Sequence, residues 1–207
     1  MLNKSRFSTK WSLLLIYFFW ITGAWAANST HFVREWSKIE VTGPIFLDFP
    51  DFRYESYIES RNQELRIDAA GGYKLTPLIS LWSGFTWINP NTGGPQTYRN
   101  WQHAVWELLE KNKVISIQLR SRIEEHKEQD QPEWLYRWRE RLRLAFPESL
   151  GKLTPVLYDE GFMNLNRPAW VSPGFLDANR AFIGIDTPPW NNTVLEIGYI
   201  NQIRFTT

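Results

Sequence analysis

Residues 115–126 read ISIQLRSRIEEH and residues 134–146 read WLYRWRERLRLAF, and the alternation inside them decides the fold. In the first stretch Ile115, Ile117, Leu119 and Ile123 share one parity. Ser116, Gln118, Arg120, Arg122, Glu124 and His126 share the other. In the second, Trp134, Tyr136, Trp138, Leu142, Leu144 and Phe146 oppose Arg137, Arg139, Arg141 and Arg143. Successive side chains of a strand point to opposite faces, so each stretch has one apolar and one charged face. A helix would need a period of 3.6, which neither offers.

The same alternation recurs outward from this centre. Leu65, Ile67 and Tyr73 oppose Arg66, Asp68 and Lys74, and Ile79, Leu81, Phe85 and Trp87 oppose Ser80, Trp82 and Thr86. About ten strands follow, near 34–42, 52–60, 64–75, 78–88, 98–110, 113–126, 134–146, 154–165, 179–187 and 193–205. Breakers such as Thr76-Pro77, Asn89 to Pro95, Gln131-Pro132, Pro147 to Lys152 and Pro188 to Asn192 separate them. From the third strand on, short turns are expected to alternate with longer loops, an asymmetry of transmembrane barrels.

Several strands run to about ten residues or more, close to the 9–11 needed to cross a bilayer obliquely. Soluble strands are mostly about five or six residues. Trp87, Trp134 and Tyr136 lie near strand ends on the apolar face, where an interfacial girdle would sit. The fold expected is therefore all-β: an antiparallel, up-and-down, transmembrane-type barrel of about ten or more strands. A soluble sandwich with an aromatic core has the same period and stays open as the alternative.

The charged face is the most specific feature. Beside Arg120, Arg122, Glu124, Arg137, Arg139, Arg141 and Arg143 it carries Glu55, Glu59, Arg66, Arg99, His103, Glu107, Glu160, Arg180 and Glu196. An arginine in lipid costs roughly 2–4 kcal/mol at the midplane, so four on one strand face must turn into a lumen. There they are expected to meet carboxylates, because unpaired charge in a low dielectric is costly. Arg141 in particular is expected to neutralise one. The two readings are a self-neutralising network that fills a small barrel and a positively lined track for small anionic solutes.

Composition narrows the class. The 207 residues include 12 Trp, 13 Phe and 8 Tyr, with 22% charged residues. Aromatics and charge at these levels do not describe a disordered chain. After the N-terminus no run of about 18 apolar residues appears, so helical spans are not expected. A net charge of +1 gives no electrostatic reason to expect nucleic acid. Without cysteine there is no disulfide scaffold, thiolate metal site or cysteine nucleophile.

The N-terminus reads as an export signal. Lys4, Arg6 and Lys10 precede the apolar run Trp11 to Ile21, and Ala24-Trp25-Ala26 fits a small-x-small cleavage site. The organisation expected is a cleavable signal peptide over 1–26 and a single barrel domain over 27–207. An uncleaved anchor is the alternative, though the run is short for a span. Removing 1–26 leaves 20 basic against 22 acidic residues. Export of a barrel points to the outer membrane of a Gram-negative bacterium, with outer-membrane lipid as partner; the periplasm is the alternative location.

Catalytic signals are weak. His103 shares a face with Arg99 and Glu107 and is the best lone acid–base candidate, but a lumen histidine beside a carboxylate is commonly structural. No Gly-x-Ser-x-Gly occurs, and Ser83-Gly84 and Ser172-Pro173-Gly174 have no partner in sequence. His31, His103 and His126 are too scattered for a metal site. Neither a catalytic residue, nor a metal, nor a cofactor is expected.

The run Arg120-Ser121-Arg122-Ile123-Glu124 followed by Trp138-Arg139-Glu140-Arg141-Leu142-Arg143 resembles paired strands of a bacterial family of unknown function, the domain numbered 2490. Glu160-Gly161-Phe162-Met163-Asn164, Asn179-Arg180-Ala181-Phe182-Ile183-Gly184 and Leu195-Glu196-Ile197-Gly198-Tyr199-Ile200-Asn201-Gln202 resemble further strands of that family, in order. Gly71-Gly72-Tyr73, Trp101-Gln102 and Trp36-Ser37 fit too. The resemblance implies an outer-membrane β-barrel and supplies no activity, substrate or catalytic residue. It also implies one more strand after the Asn-Gln segment, so the chain is expected either to be truncated or to lack its closing strand.

Overall fold

The computed structural model describes residues 29–46, 49–61, 64–90, 93–109, 114–147, 152–171, 174–187 and 193–205. The expected signal peptide lies outside these residues. Ten strands follow in chain order: β1 (Ser29–Phe46), β2 (Phe49–Arg61), β3 (Glu64–Thr76), β4 (Ile79–Pro90), β5 (Thr97–Leu109), β6 (Ser116–Glu128), β7 (Leu135–Ala145), β8 (Thr154–Asn164), β9 (Leu176–Thr187) and β10 (Thr193–Phe205). Each pairs antiparallel with its chain neighbours, and β10 pairs with β1, so the sheet closes into a barrel. The β1–β10 seam runs from Ser29↔Phe205 to Val41↔Thr193. The expectation of a missing closing strand is thereby corrected: the Asn-Gln strand itself closes the sheet, and closure leaves no free edge among the ten strands.

Alternation places one face of every strand in the lumen. On β6 the burial of Arg120, Arg122, Glu124 and His126 contrasts with Ile123, which is 51% exposed on the outer wall. The outer wall also shows Tyr54, Ile58, Phe85, Trp138, Ile183 and Tyr199. The period of two thus places most aliphatic and aromatic residues outside and the arginines inside, the reverse of a sandwich core.

Connection lengths do not alternate as expected. The gaps 77–78, 91–96, 110–115, 129–134, 146–153, 165–175 and 188–192 run short, then mostly medium, with the longest after β8. Proline and glycine mark where a strand stops but not how many residues the connection takes. In the β4–β5 connection Gly93 takes a positive φ of 77° and its N–H donates to the Pro90 carbonyl at 3.3 Å.

Two glycines on inward positions make room for rings. A Cβ at Gly84 would overlap the indole of Trp101, and one at Gly72 the indole of Trp82. These gaps let large aromatics lie flat across the lumen wall.

Candidate functional site: the charged lumen

Backbone register decides which charges meet. One row across the wall aligns Val105, Arg120, Arg141, Glu160, Arg180 and Gln202. The neighbouring row aligns His103, Arg122, Arg139 and Phe162. Arginines therefore face arginines across β6 and β7: Arg122 and Arg139 are neutralised from neighbouring rows, and Arg120 by Glu160 two strands along its own row.

Two carboxylates organise the middle of the lumen. Glu160, 1% exposed, accepts Arg120 Nη2 at 2.5 Å, Arg139 Nη2 at 2.9 Å and Arg180 Nη1 at 3.5 Å. Glu124, fully buried, accepts from Arg139 Nη1 and from Arg122 Nη1 at 3.4 Å. The other Glu124 oxygen lies 2.7 Å from His126 Nε2. Arg139 is the link, one nitrogen on each carboxylate. The guanidinium groups of Arg139 and Arg180 also lie 4.6 and 4.8 Å from the Phe162 ring centroid.

A second cluster fills the adjoining wall. Arg66 Nε meets Asp68 Oδ2 at 2.7 Å, and Thr86 Oγ1 donates to Asp68 Oδ1 at 2.5 Å. Thr86 Oγ1 in turn accepts Trp101 Nε1 at 3.0 Å. Trp101 stacks on His103 with centroids 4.9 Å apart and planes 3° apart, and Arg122 Cζ lies 3.9 Å from the Trp101 centroid. His103 Nδ1 accepts from Arg122 Nη2 at 3.1 Å, so the proton of a neutral ring sits on Nε2. The histidine is a wall component of this stack.

Other candidate residues occupy the flanks. Arg137 pairs with Asp177 at 3.0 Å and Arg143 with Asp186 at 2.5 Å. Glu107 accepts from Gln118 Nε2 at 2.6 Å. Glu55 and Glu196 line a cavity described below. The Glu59 side chain lies outside the described residues; its backbone pairs with Arg66. Arg99 is half-buried and forms no ion pair among the described residues.

One expectation is corrected. Arg141 has no carboxylate within ion-pair distance among the described residues; its guanidinium lies 5.2 Å from the Tyr158 ring centroid. Glu160, its register neighbour, is already shared by Arg120, Arg139 and Arg180.

Sequence reading put Asp68 and His126 on the charged face but missed Asp186, Asp177 and Trp101 as members of the site. Asp68 was legible two residues from Arg66 on the same face. Asp177 and Asp186 depend on cross-strand reach, which sequence spacing does not carry. It also missed an apolar patch inside the barrel: Ala145, Val156, Tyr158, Phe182 and Ile200 form one buried cluster, with Tyr158 and Phe182 stacked at 4.6 Å. The available signal was Gly184 and Gly198 at inward positions, where a Cβ would meet the Phe182 ring.

A cavity of about 490 Å³ occupies the half of the lumen that ends at the Thr76–Ile79 rim. It reaches inward to Arg66, Arg122 and Arg139. Beyond that level Trp101, Glu124 and Leu135 are at most 1% exposed, so other side chains pack closely over them.

A family described as "Protein of unknown function (DUF2490)" matches residues 36–207. The chain belongs to this family. An uncharacterised protein of Methylorubrum extorquens is 28% identical over 152 residues, covering 71% of this chain. The matched region spans 66% of that relative's length. Among solved structures, the KdgM porin aligns with 10% identity and a TM-score of 0.47 over 87% of this chain and 99% of that one. The NanC porin aligns with 10% identity and a TM-score of 0.46 over 84% and 98%. The translocator domain of the autotransporter NalP from Neisseria meningitidis aligns with 10% identity and a TM-score of 0.43 over 95% and 96%.

Proposed function

We propose that this family member works in the outer membrane of a Gram-negative bacterium as a barrel whose lumen is braced by its own ions. It is a structural or weakly conducting barrel and not an open pore. The observation that carries this reading is the bridge made by Arg139 between buried Glu124 and Glu160, with Arg120, Arg122 and Arg180 gathered on the same two carboxylates. Charges gathered in this way neutralise one another, and water or solute that entered would have to displace them.

Three features support membrane placement. The strands run 11 to 18 residues, enough to cross a bilayer at a tilt. The outer wall exposes apolar side chains along its height. The N-terminus carries the pattern of an export signal. Recovery in the sarkosyl-insoluble envelope with a heat-dependent gel shift, together with small or no steps in planar bilayers, is the expected result. Large stable conductance would overturn the occluded lumen, and soluble periplasmic recovery would overturn the membrane reading.

A soluble periplasmic barrel is the second reading, and the outer wall gives it one argument. Glu140 and Asp159 sit on outward positions in mid-strand, Glu140 taking Ser121 Oγ and Trp138 Nε1, and Asp159 taking Asn179 Nδ2 at 2.9 Å. Acidic groups on a lipid face carry a cost, smaller than for arginine. The same fractionation separates the two.

A further inference from the structure

Among the described residues, the cavity at the Thr76–Ile79 rim is lined by more cations than carboxylates. Among the described residues nine cationic side chains line it, Arg53, Lys74 and Arg141 among them. Five carboxylates line it: Glu55, Glu107, Glu160, Asp186 and Glu196. Asp68 and Glu124, just beyond the lining, engage Arg66, Arg122 and Arg139. Even with these two added, cations exceed carboxylates.

The excess has a definite location. Arg53, Lys74 and Arg141 make no ion pair among the described residues, whereas the remaining cations engage Asp68, Glu124, Glu160 or Asp186. Ring order puts β2 five strands from β7, directly across the lumen. Arg53 on β2 and Lys74 on the adjacent β3 thus face Arg141 on β7 over the cavity. A guanidinium fork binds a carboxylate or phosphate through two parallel hydrogen bonds, and burial strengthens that contact. The volume is within the range of small-molecule sites.

We propose that this cavity binds a small dianion whose acidic groups lie at its two ends, one held by Arg141 and the other by Arg53 with Lys74. Carboxylate and phosphate ends share the chemistry these groups recognise. Trp82 lines the same cavity beside Ser80, to which its indole N–H donates at 3.0 Å, and gives the organic middle of such a solute an apolar surface. The proposal goes beyond the braced-barrel reading and does not depend on membrane placement, since the cavity is a property of the folded chain.

The test is calorimetric titration of the full chain, folded in zwitterionic detergent at low salt, with citrate, pyrophosphate and acetate. Closed folding of every variant is checked first by heat-dependent gel migration. Saturable one-site binding of citrate or pyrophosphate, with acetate at least tenfold weaker, is expected; which of the two binds tighter distinguishes carboxylate from phosphate ends. Arg141→Gln and Arg53→Gln should each weaken binding about tenfold or more, as loss of a charge-assisted hydrogen bond does. Lys74→Gln, at an exposed position, serves if either arginine variant fails to close. Arg167→Gln, an exposed cation in the connection after β8, should bind as the parent does. Absence of saturable binding, equal affinity for acetate, or equal weakening by Arg167→Gln would each overturn the proposal.

Discussion

Replacing Glu160 with Gln should break the lumen. Glu160 is 1% exposed and accepts from Arg120, Arg139 and Arg180. At an effective dielectric of about 20, two unit charges about 4 Å apart attract by roughly 4 kcal/mol. Removing one member of a buried pair costs roughly 3–5 kcal/mol, because the partner charge stays buried without compensation. Glu160→Gln keeps the shape and one carbonyl acceptor, but turns an NH2 group toward guanidinium donors. A loss of about 3–5 kcal/mol follows. The assay is denaturant unfolding of detergent-folded protein, read as the ratio of compact to unfolded bands on unheated gels. Asp159→Asn, one residue earlier and on the outer wall, is the matched comparison; its carboxylate holds Asn179, and the change should cost less than about 1 kcal/mol. If Glu160→Gln unfolds within about 1 kcal/mol of the parent, the lumen is solvated well enough to screen its ions, and the bracing argument fails.

Three more outcomes follow from the same geometry. Gly84→Val should displace the Trp101 indole and cost about 1–3 kcal/mol, with a changed near-ultraviolet circular dichroism signal as the second readout. Ile123→Arg puts a cation on the outer wall and should cost roughly 2–4 kcal/mol in lipid bilayers, measured against the same change in detergent. Arg141→Leu should change unfolding stability by less than about 1 kcal/mol, because no carboxylate among the described residues loses a direct ion-pair partner; a loss above about 3 kcal/mol would show a hidden pair.

The strands were legible because a half-exposed sheet face imposes a period of two, and β6 and β7 keep it despite Ser121, Glu125 and Glu140 on the outer face. The inward direction of the arginines was legible for an energetic reason, the cost of placing them in lipid. Pairing was not. Arg139 takes one carboxylate from β6 and one from β8, and nothing in the spacing of 124, 139 and 160 announces that. Arg141, on the same face of the same strand, ends beside Tyr158 because Glu160 is already shared. The interior apolar cluster escaped for a related reason. Val156, Tyr158 and Phe182 have the inward parity, but an apolar residue at an inward position reads as a break in the charge pattern until Gly184 and Gly198 are seen to clear space for the Phe182 ring. Closure by β10 was hidden because register along the β1 seam is a property of two distant segments, residues 29–41 and 193–205.

The measurement that bears most directly on the whole account is residue-by-residue labelling in intact envelopes, made clean by the absence of native cysteine. Two single variants suffice: Ile123→Cys on the outer wall and Lys74→Cys in the lumen cavity. A lipid-dissolved maleimide should react at position 123 and a charged, water-soluble one at position 74, with neither reagent crossing over. Free reaction of the charged reagent at position 123 would contradict a lipid-facing wall and with it the outer-membrane barrel.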